Sequence, residues 1–403
     1  MSSSPSRRNK RSDFFAVRRD ALVFVTGLAV LCVASVAAGD ALPPIHKPHA
    51  KTSSASAAAA GSTAPPVAAV PIDHVAHPWR TGQTQLGIDV YWAEKSAESD
   101  ATVQEKIRKT VNYAVGLGAN WISVSFPFVT GGVHSDQLSA SPAMTPSLAR
   151  LRMFIEAAQS AGLKVALRPV LDETALQAQD PNAWRGSIEP ADYSAWFASY
   201  QTFLVPYLKL AQQTAVGGFY VSTELSSMEG LTSDWSNLIA NLKGLYTGPL
   251  YASANYDRFA ATDPAIPSTE RAVDAYFPMK DLGDDASVSE LVDGWNEWLD
   301  QYAEGALPAV TFSEVGIMPE DGAYASPFNF HASGTVNMQI RVNWYKAACE
   351  VAQQRHVAGL YWWYLNLEDA DEPADTPTKA DPMSFLDTPG AAVVKSCFAE
   401  LAS

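Results

Sequence analysis

From residue 85 to its end, the chain alternates short, almost continuously apolar runs with longer stretches of helical periodicity, and it does so eight times. The apolar runs are Leu86–Tyr91, Asn120–Phe126, Lys164–Leu171, Gly218–Val221, Leu250–Ala252, Ala272–Phe277, Ala309–Phe312 and Ala358–Tyr364. Their β-branched and aromatic content suits parallel strands buried on both faces. The helical stretches are Thr102–Gly118, Pro146–Gly162, Ala191–Thr214, Asp234–Tyr246, Val288–Ala303, Val336–Arg355 and Pro389–Leu401, while Asp257–Thr269 is too rich in proline for a clear helix. Thr145 is a candidate cap for the second of them, with Pro146 in its first turn and Gly162 at its end. Eight such units over roughly 320 residues predict an α/β chain closed into a (β/α)8 barrel, which takes about 250 residues plus insertions. An open doubly wound sheet is the alternative, but no glycine-rich phosphate loop follows the first strand.

The N-terminal segment reads differently. Residues 21–39 are uncharged and apolar and follow Arg7, Arg8, Lys10, Arg11, Arg18 and Arg19. That pattern predicts an uncleaved membrane anchor or a signal peptide after a basic cytoplasmic tail of residues 1–20. Residues 40–81, rich in Ala, Pro and Ser, read as a disordered linker, with the barrel at 82–403. The expected location is periplasmic or extracellular, with the inner membrane a partner if the segment is uncleaved.

Charge narrows the function. The chain carries −15 overall, but residues 81–403 hold 19 Lys/Arg against 39 Asp/Glu. So acidic a domain repels nucleic acid and anionic lipid, and a neutral substrate fits better. No Cys/His group has metal-ligand spacing, so neither a metal nor a cofactor is expected. Cys349 and Cys397 lie in two late helical stretches; a disulfide and two buried thiols both remain open.

In a barrel, reactive residues sit at the C-terminal ends of strands. Glu224 ends the run GGFYVSTEL, and Glu314 ends the run LPAVTFSEVG, 90 residues later. Three βα units of about thirty residues separate them, which puts them on strands four and seven across one mouth. Two carboxylates there can flank one glycosidic bond, one protonated to release the leaving oxygen and one ionised to attack or stabilise the sugar cation.

At these positions the sequence resembles clan A glycoside hydrolases, most closely the β-mannanases of glycoside hydrolase family 113, over residues 84–367. The resemblance rests on Ser222-Thr223-Glu224-Leu225, Ser313-Glu314-Val315-Gly316, Arg168-Pro169-Val170-Leu171-Asp172, Trp184-Arg185-Gly186, Tyr193-Ser194-Ala195-Trp196-Phe197 with Tyr200, Asn255, and Asp274-Ala275-Tyr276-Phe277-Pro278. It implies retaining hydrolysis of a β-linked polysaccharide, with Glu224 as acid/base and Glu314 as nucleophile. It also implies that Tyr276 holds the nucleophile. Val170 and Ser222 depart from the family's usual His and Gly. Arg168, Arg185 and Asn255 are candidates to bond sugar hydroxyls, the arginines also to bond the nucleophile. Trp362 is the preferred stacking platform on the last strand, with Trp92 and Trp184 as further subsites. Asp89 and Glu173 are additional acids near strand ends, with subsite or structural roles. A non-catalytic glycan-binding or exopolysaccharide-assembly protein on the same barrel is the competing reading. A lyase or aldolase would need a Schiff-base lysine or a metal cluster at the rim, and neither is evident.

Overall fold

The computed structural model describes residues 71–260, 266–267, 269–331, 334–370 and 383–402. Residues 21–39 and the linker up to residue 70 lie outside them; among the described residues, no helix is long and apolar enough to cross a membrane.

Eight parallel strands close into a barrel: β1 (Gln85–Tyr91), β2 (Trp121–Thr130), β3 (Lys164–Leu171), β4 (Gly218–Thr223), β5 (Leu250–Asn255), β6 (Glu270–Asp274), β7 (Val310–Val315) and β8 (Gly359–Asn366). Each pairs with its sequence neighbour, and β1 pairs with both β8 and β2, which leaves no free barrel edge. Besides a single turn at Thr174–Gln177, the α-helices are α1 (Asp100–Leu117), α2 (Leu148–Ser160), α3 (Tyr193–Gln213), α4 (Thr232–Lys243), the single turn α5 (Tyr256–Phe259), α6 (Val288–Asp300), α7 (Met338–Arg355) and α8 (Pro389–Leu401). Each expected apolar run falls on a strand.

Local chemistry explains where elements begin and end. The Ser99 hydroxyl caps α1 by accepting from Thr102 N–H, and Gly118 ends it at φ 94°, a left-handed conformation that glycine adopts at little cost. Ser147, not Thr145, caps α2; the Thr145 hydroxyl instead donates to the Pro127 carbonyl. The sixth strand ends at Asp274, three residues before the apolar run does. Tyr276 N–H bonds back to the Asp274 carbonyl, a tight turn that takes the chain out of the sheet. A two-residue strand, Leu138–Ser139, adds an antiparallel ribbon to the end of β2 that no pattern had marked.

Most of the core lies between barrel and helices, built from one face of each strand. A smaller cluster fills the barrel floor: Trp121, Ala166, Tyr220, Tyr251, Ala272 and Tyr361, with Trp79 edge-on to Trp121. Gln85 joins the Tyr251 and Tyr361 hydroxyls there. Gly87 is required beside this cluster, because a Cβ would come within 2.1 Å of the Tyr361 ring.

Cys349 on α7 and Cys397 on α8 form a disulfide, which closes a loop of 48 residues. Chain-entropy arguments give such a crosslink about 2–4 kcal/mol. Cys397→Ser is therefore expected to lower thermal stability by that amount, and reductant to do the same to the unaltered protein. A melting temperature that neither change moves would count against the bridge.

Candidate active site

A pocket of about 820 Å³ opens at the C-terminal ends of the strands. Glu224, Glu314, Tyr276, Asn255, Arg185 and Trp184 all line it. Glu224 follows β4 directly and has φ 54°, a left-handed conformation uncommon for a residue with a side chain. Its N–H is held by the Ser253 carbonyl at 2.9 Å, and its carbonyl accepts from Ser226 N–H at 2.8 Å. These two bonds fix the residue in place as the chain leaves the barrel. Glu314 is on β7 itself, 5% exposed.

The two carboxyl groups have different neighbours. Glu314 accepts from the Arg168 guanidinium and, at 2.6 Å, from the Tyr276 hydroxyl. Arg168 also binds both oxygens of Asp274, at 2.9 and 2.8 Å, and both residues are 0% exposed. Asp274 accepts further from the Ser253 and Ser313 hydroxyls, at 2.6 and 2.8 Å. One cation therefore serves two carboxylates in the barrel interior, where a charge is tolerated only if paired. Glu224 takes a single bond from Arg185, at 2.8 Å, and Arg185 also serves Glu173 at 3.1 Å.

Burial pushes both glutamates well above the ordinary carboxylate range. For Glu224 the charge of Asp274 adds to burial, Arg185 opposes it, and the result is about 8. For Glu314 the Arg168 charge is the main opposing influence, helped by the Tyr276 hydrogen bond, and the result is about 7. Two donors on Glu314, against one shared arginine on Glu224, favour the anion on Glu314 and the proton on Glu224. Such a pair can hold one acid and one anion at the same time.

Tyr276→Phe tests this assignment. It removes a donor that favours the Glu314 carboxylate, so the carboxyl rises further and the acid limb of the kcat/KM profile shifts to higher pH. A hydrogen bond to a charged group supports a loss of about 10–100-fold in kcat/KM. An unmoved acid limb would leave Tyr276 with a packing role alone.

Two expected site residues are placed elsewhere, and a third, Arg168, takes one of its two expected roles. Trp362 is 0% exposed and faces outward against Tyr345 of α7, with ring centroids 4.6 Å apart. Strand alternation turns its neighbour Trp363 inward, and Trp363 lines the pocket, 5.8 Å from the Arg168 guanidinium. Trp92 is likewise fully buried, tilted against Phe154 of α2, so no sugar reaches it. Arg168 has no exposed surface either; of its two expected roles it takes the bond to Glu314 and not the one to a sugar hydroxyl.

Other residues complete the site: Phe328 and Phe330, which no sequence pattern marks, Asp274, which the family motif contains without a role, and the strand-end acids Glu173 and Asp89. Asp274 carried a usable signal, since it is an acid at a strand end like the two glutamates. Phe328 and Phe330, on the loop after β7, also line the pocket and carried none. Glu173 lines the pocket as the partner of Arg185. Asp89 is fully buried inside the barrel, and burial holds its carboxyl well above the usual range. Among the described residues, no group of three or more His, Cys, Asp or Glu is arranged to hold a metal.

The model of Glycoside Hydrolase Family 113 matches residues 90–379. No curated protein matches the sequence. Among solved structures, a GH113 beta-1,4-mannanase is 20% identical and superposes with a TM-score of 0.63 over 79% of this chain and 99% of its own. The GH113 beta-mannanase AaManA from Alicyclobacillus acidocaldarius, in complex with ManMIm, is 19% identical, with a TM-score of 0.64 over 79% of this chain and 98% of its own. At such identities the superpositions speak for the fold. The family model spans well over half of the chain, and on that ground the chain is a glycoside hydrolase and belongs to glycoside hydrolase family 113.

Proposed function

We propose that this enzyme hydrolyses a β-mannan or a related β-linked glycan with retention of anomeric configuration, Glu314 acting as nucleophile and Glu224 as acid/base. In the first step the Glu314 carboxylate bonds to the anomeric carbon while Glu224 gives its proton to the departing glycosidic oxygen. In the second, the Glu224 carboxylate takes a proton from water, whose oxygen displaces Glu314. The enzyme returns to its starting protonation state.

The observation that carries this reading is the unequal support of the two carboxyl groups. Arg168 and Tyr276 both donate to Glu314, which favours its anion and fixes its direction. Glu224 has only a shared arginine against its burial, so it retains a proton. When it loses that proton to the leaving group, Arg185 is in place to stabilise the carboxylate that must then act as base. Trp363 offers an apolar face for the sugar at the cleavage point.

Mannan is the favoured polymer because the two solved family members above are named as mannanases. Val170 is part of the pocket lining at a departure from the family pattern, so a related envelope exopolysaccharide is the second choice. The deciding assay incubates the protein with mannan, glucomannan, xylan, β-glucan and bacterial exopolysaccharides, and follows the anomer formed first. Initial release of the β-anomer supports the proposal; an inverted product rejects the mechanism, and hydrolysis confined to a non-mannan polymer rejects the substrate.

The same reading puts the enzyme outside the cytoplasm, held by residues 21–39 or released after their cleavage. The basic residues before that run favour this orientation, and the Cys349–Cys397 bridge suits an oxidising compartment. Cell fractionation with detection of the C-terminus tests it, and a protein found wholly in the cytosol would reject it.

A further inference from the structure

We propose that Phe328 and Phe330 form, with Tyr256, an aromatic platform for the sugar units on the leaving-group side of the scissile bond, so that the enzyme favours chains extending past the cleavage point. The inference rests on the reading of the pocket as a site of glycan cleavage.

Phe328 is 43% exposed and Phe330 51% exposed, yet both line the pocket that holds Glu224 and Glu314. Scattered exposed apolar side chains are ordinary, but two at the rim of one catalytic pocket form a surface that water wets poorly. Phe328 is also held rigidly. Its ring stacks on Tyr256 at 5.4 Å with 9° between planes, Tyr256 meets Trp298 edge-on, and Trp298 stacks on Phe277. The base of the loop is tied down as well: Asp321 N–H bonds Thr335 O at 2.9 Å, Gly334 N–H bonds the Glu320 carboxylate at 2.8 Å, and the Asn337 amide bonds Asp321 at 2.7 Å. A fixed aromatic face of this kind matches the C–H face of a pyranose ring and loses little entropy on binding.

The side of the pocket follows from the strand that carries each supporting residue. Trp363 is near Arg168, the residue that holds Glu314. Tyr256 follows Asn255 at the end of β5, the strand that pairs with β4 and so adjoins Glu224; burial, then the charges of Asp257 and Glu224, push its phenol up to about 12. An acid that protonates the leaving oxygen has the leaving sugars on its own side. Trp363 is thus assigned to the sugar under attack, and the Phe328–Tyr256 surface to those departing.

The test compares the full chain with Phe328→Ala, Phe330→Ala and the double variant on β-1,4-mannohexaose and on nitrophenyl β-mannobioside, whose small leaving group does not extend along the platform. The ratio of kcat/KM for the hexasaccharide to that for the aryl glycoside is expected to fall about tenfold in the double variant, mainly through KM. Phe328→Trp should restore most of it. An unchanged ratio overturns the platform even if both values fall together, while wild-type turnover shows that the cleavage reading stands. A wild type that cleaves neither substrate overturns the mannan reading and the platform with it.

Discussion

Glu314→Gln is expected to abolish turnover, lowering kcat on mannan by about 10⁴-fold or more, as loss of a covalent catalyst commonly does. The amide has the shape of the carboxylate but cannot bond to the anomeric carbon. The fold should survive the change: Arg168 keeps the charge of Asp274, at 2.8 and 2.9 Å, so no buried cation is stranded. Circular dichroism and a melting curve close to the wild type's are the necessary controls. The decisive experiment adds azide to Glu314→Ala with a nitrophenyl glycoside. Direct attack by azide, with no covalent sugar on the protein, should give the glycosyl azide of inverted configuration. Turnover within tenfold of wild type, or an azide product of retained configuration, would remove Glu314 from the nucleophile's role.

The second large effect belongs to Glu224, and its size should depend on the leaving group. A positioned general acid contributes about 10²–10⁴-fold. Glu224→Gln should lose that much on mannan, whose departing alkoxide needs a proton. An activated aryl glycoside needs little protonation to depart, so its first step should be spared and the second step should become limiting. A pre-steady-state burst of nitrophenol would report that imbalance. Equal losses on both substrates and no burst would leave Glu224 without an acid's role. Stability should move the other way. The folded-state pKa of Glu224, about 8, lies above that of an unfolded glutamate, so its contribution to stability is full at low pH and is lost as pH rises towards 8. Glutamine does not ionise, and Arg185 retains Glu173 at 3.1 Å. At pH 7 the variant should therefore melt no lower than the wild type. A residue selected for its chemistry rather than for packing is expected to behave this way.

Arg168 shows how differently a local reading and a folded one treat a residue. By itself, an arginine on a strand is a candidate for bonding sugar hydroxyls or a catalytic carboxylate, with nothing to choose between them. In the barrel it has no exposed surface and spans from Glu314 to Asp274, 146 and 106 residues along the chain. Nothing within the strand reveals that two acids wait opposite. The role of Asp274 is hidden for a related reason, since its apolar run continues to Phe277 while the strand stops at the acid. The four aromatics Tyr361 to Tyr364 pose a problem of phase. Alternation guarantees that Trp362 and Trp363 face opposite ways, but not which faces in. The pairing of β7 with β8 shifts register between Phe312 and Val315, so counting across from Glu314 does not decide it.

The sequence by itself determined the alternation of eight strands with helices, and the position of Glu224 and Glu314 at the ends of the fourth and seventh strands. Both are matters of periodicity and spacing, which reside in the covalent chain. Only the tertiary structure decided which charges share a cation, that Trp363 and not Trp362 faces the pocket, that Cys349 meets Cys397, and that Phe328 is stacked on Tyr256 beside the pocket. Those outcomes depend on contacts between strands and loops far apart in sequence, whose geometry exists only once the barrel has closed.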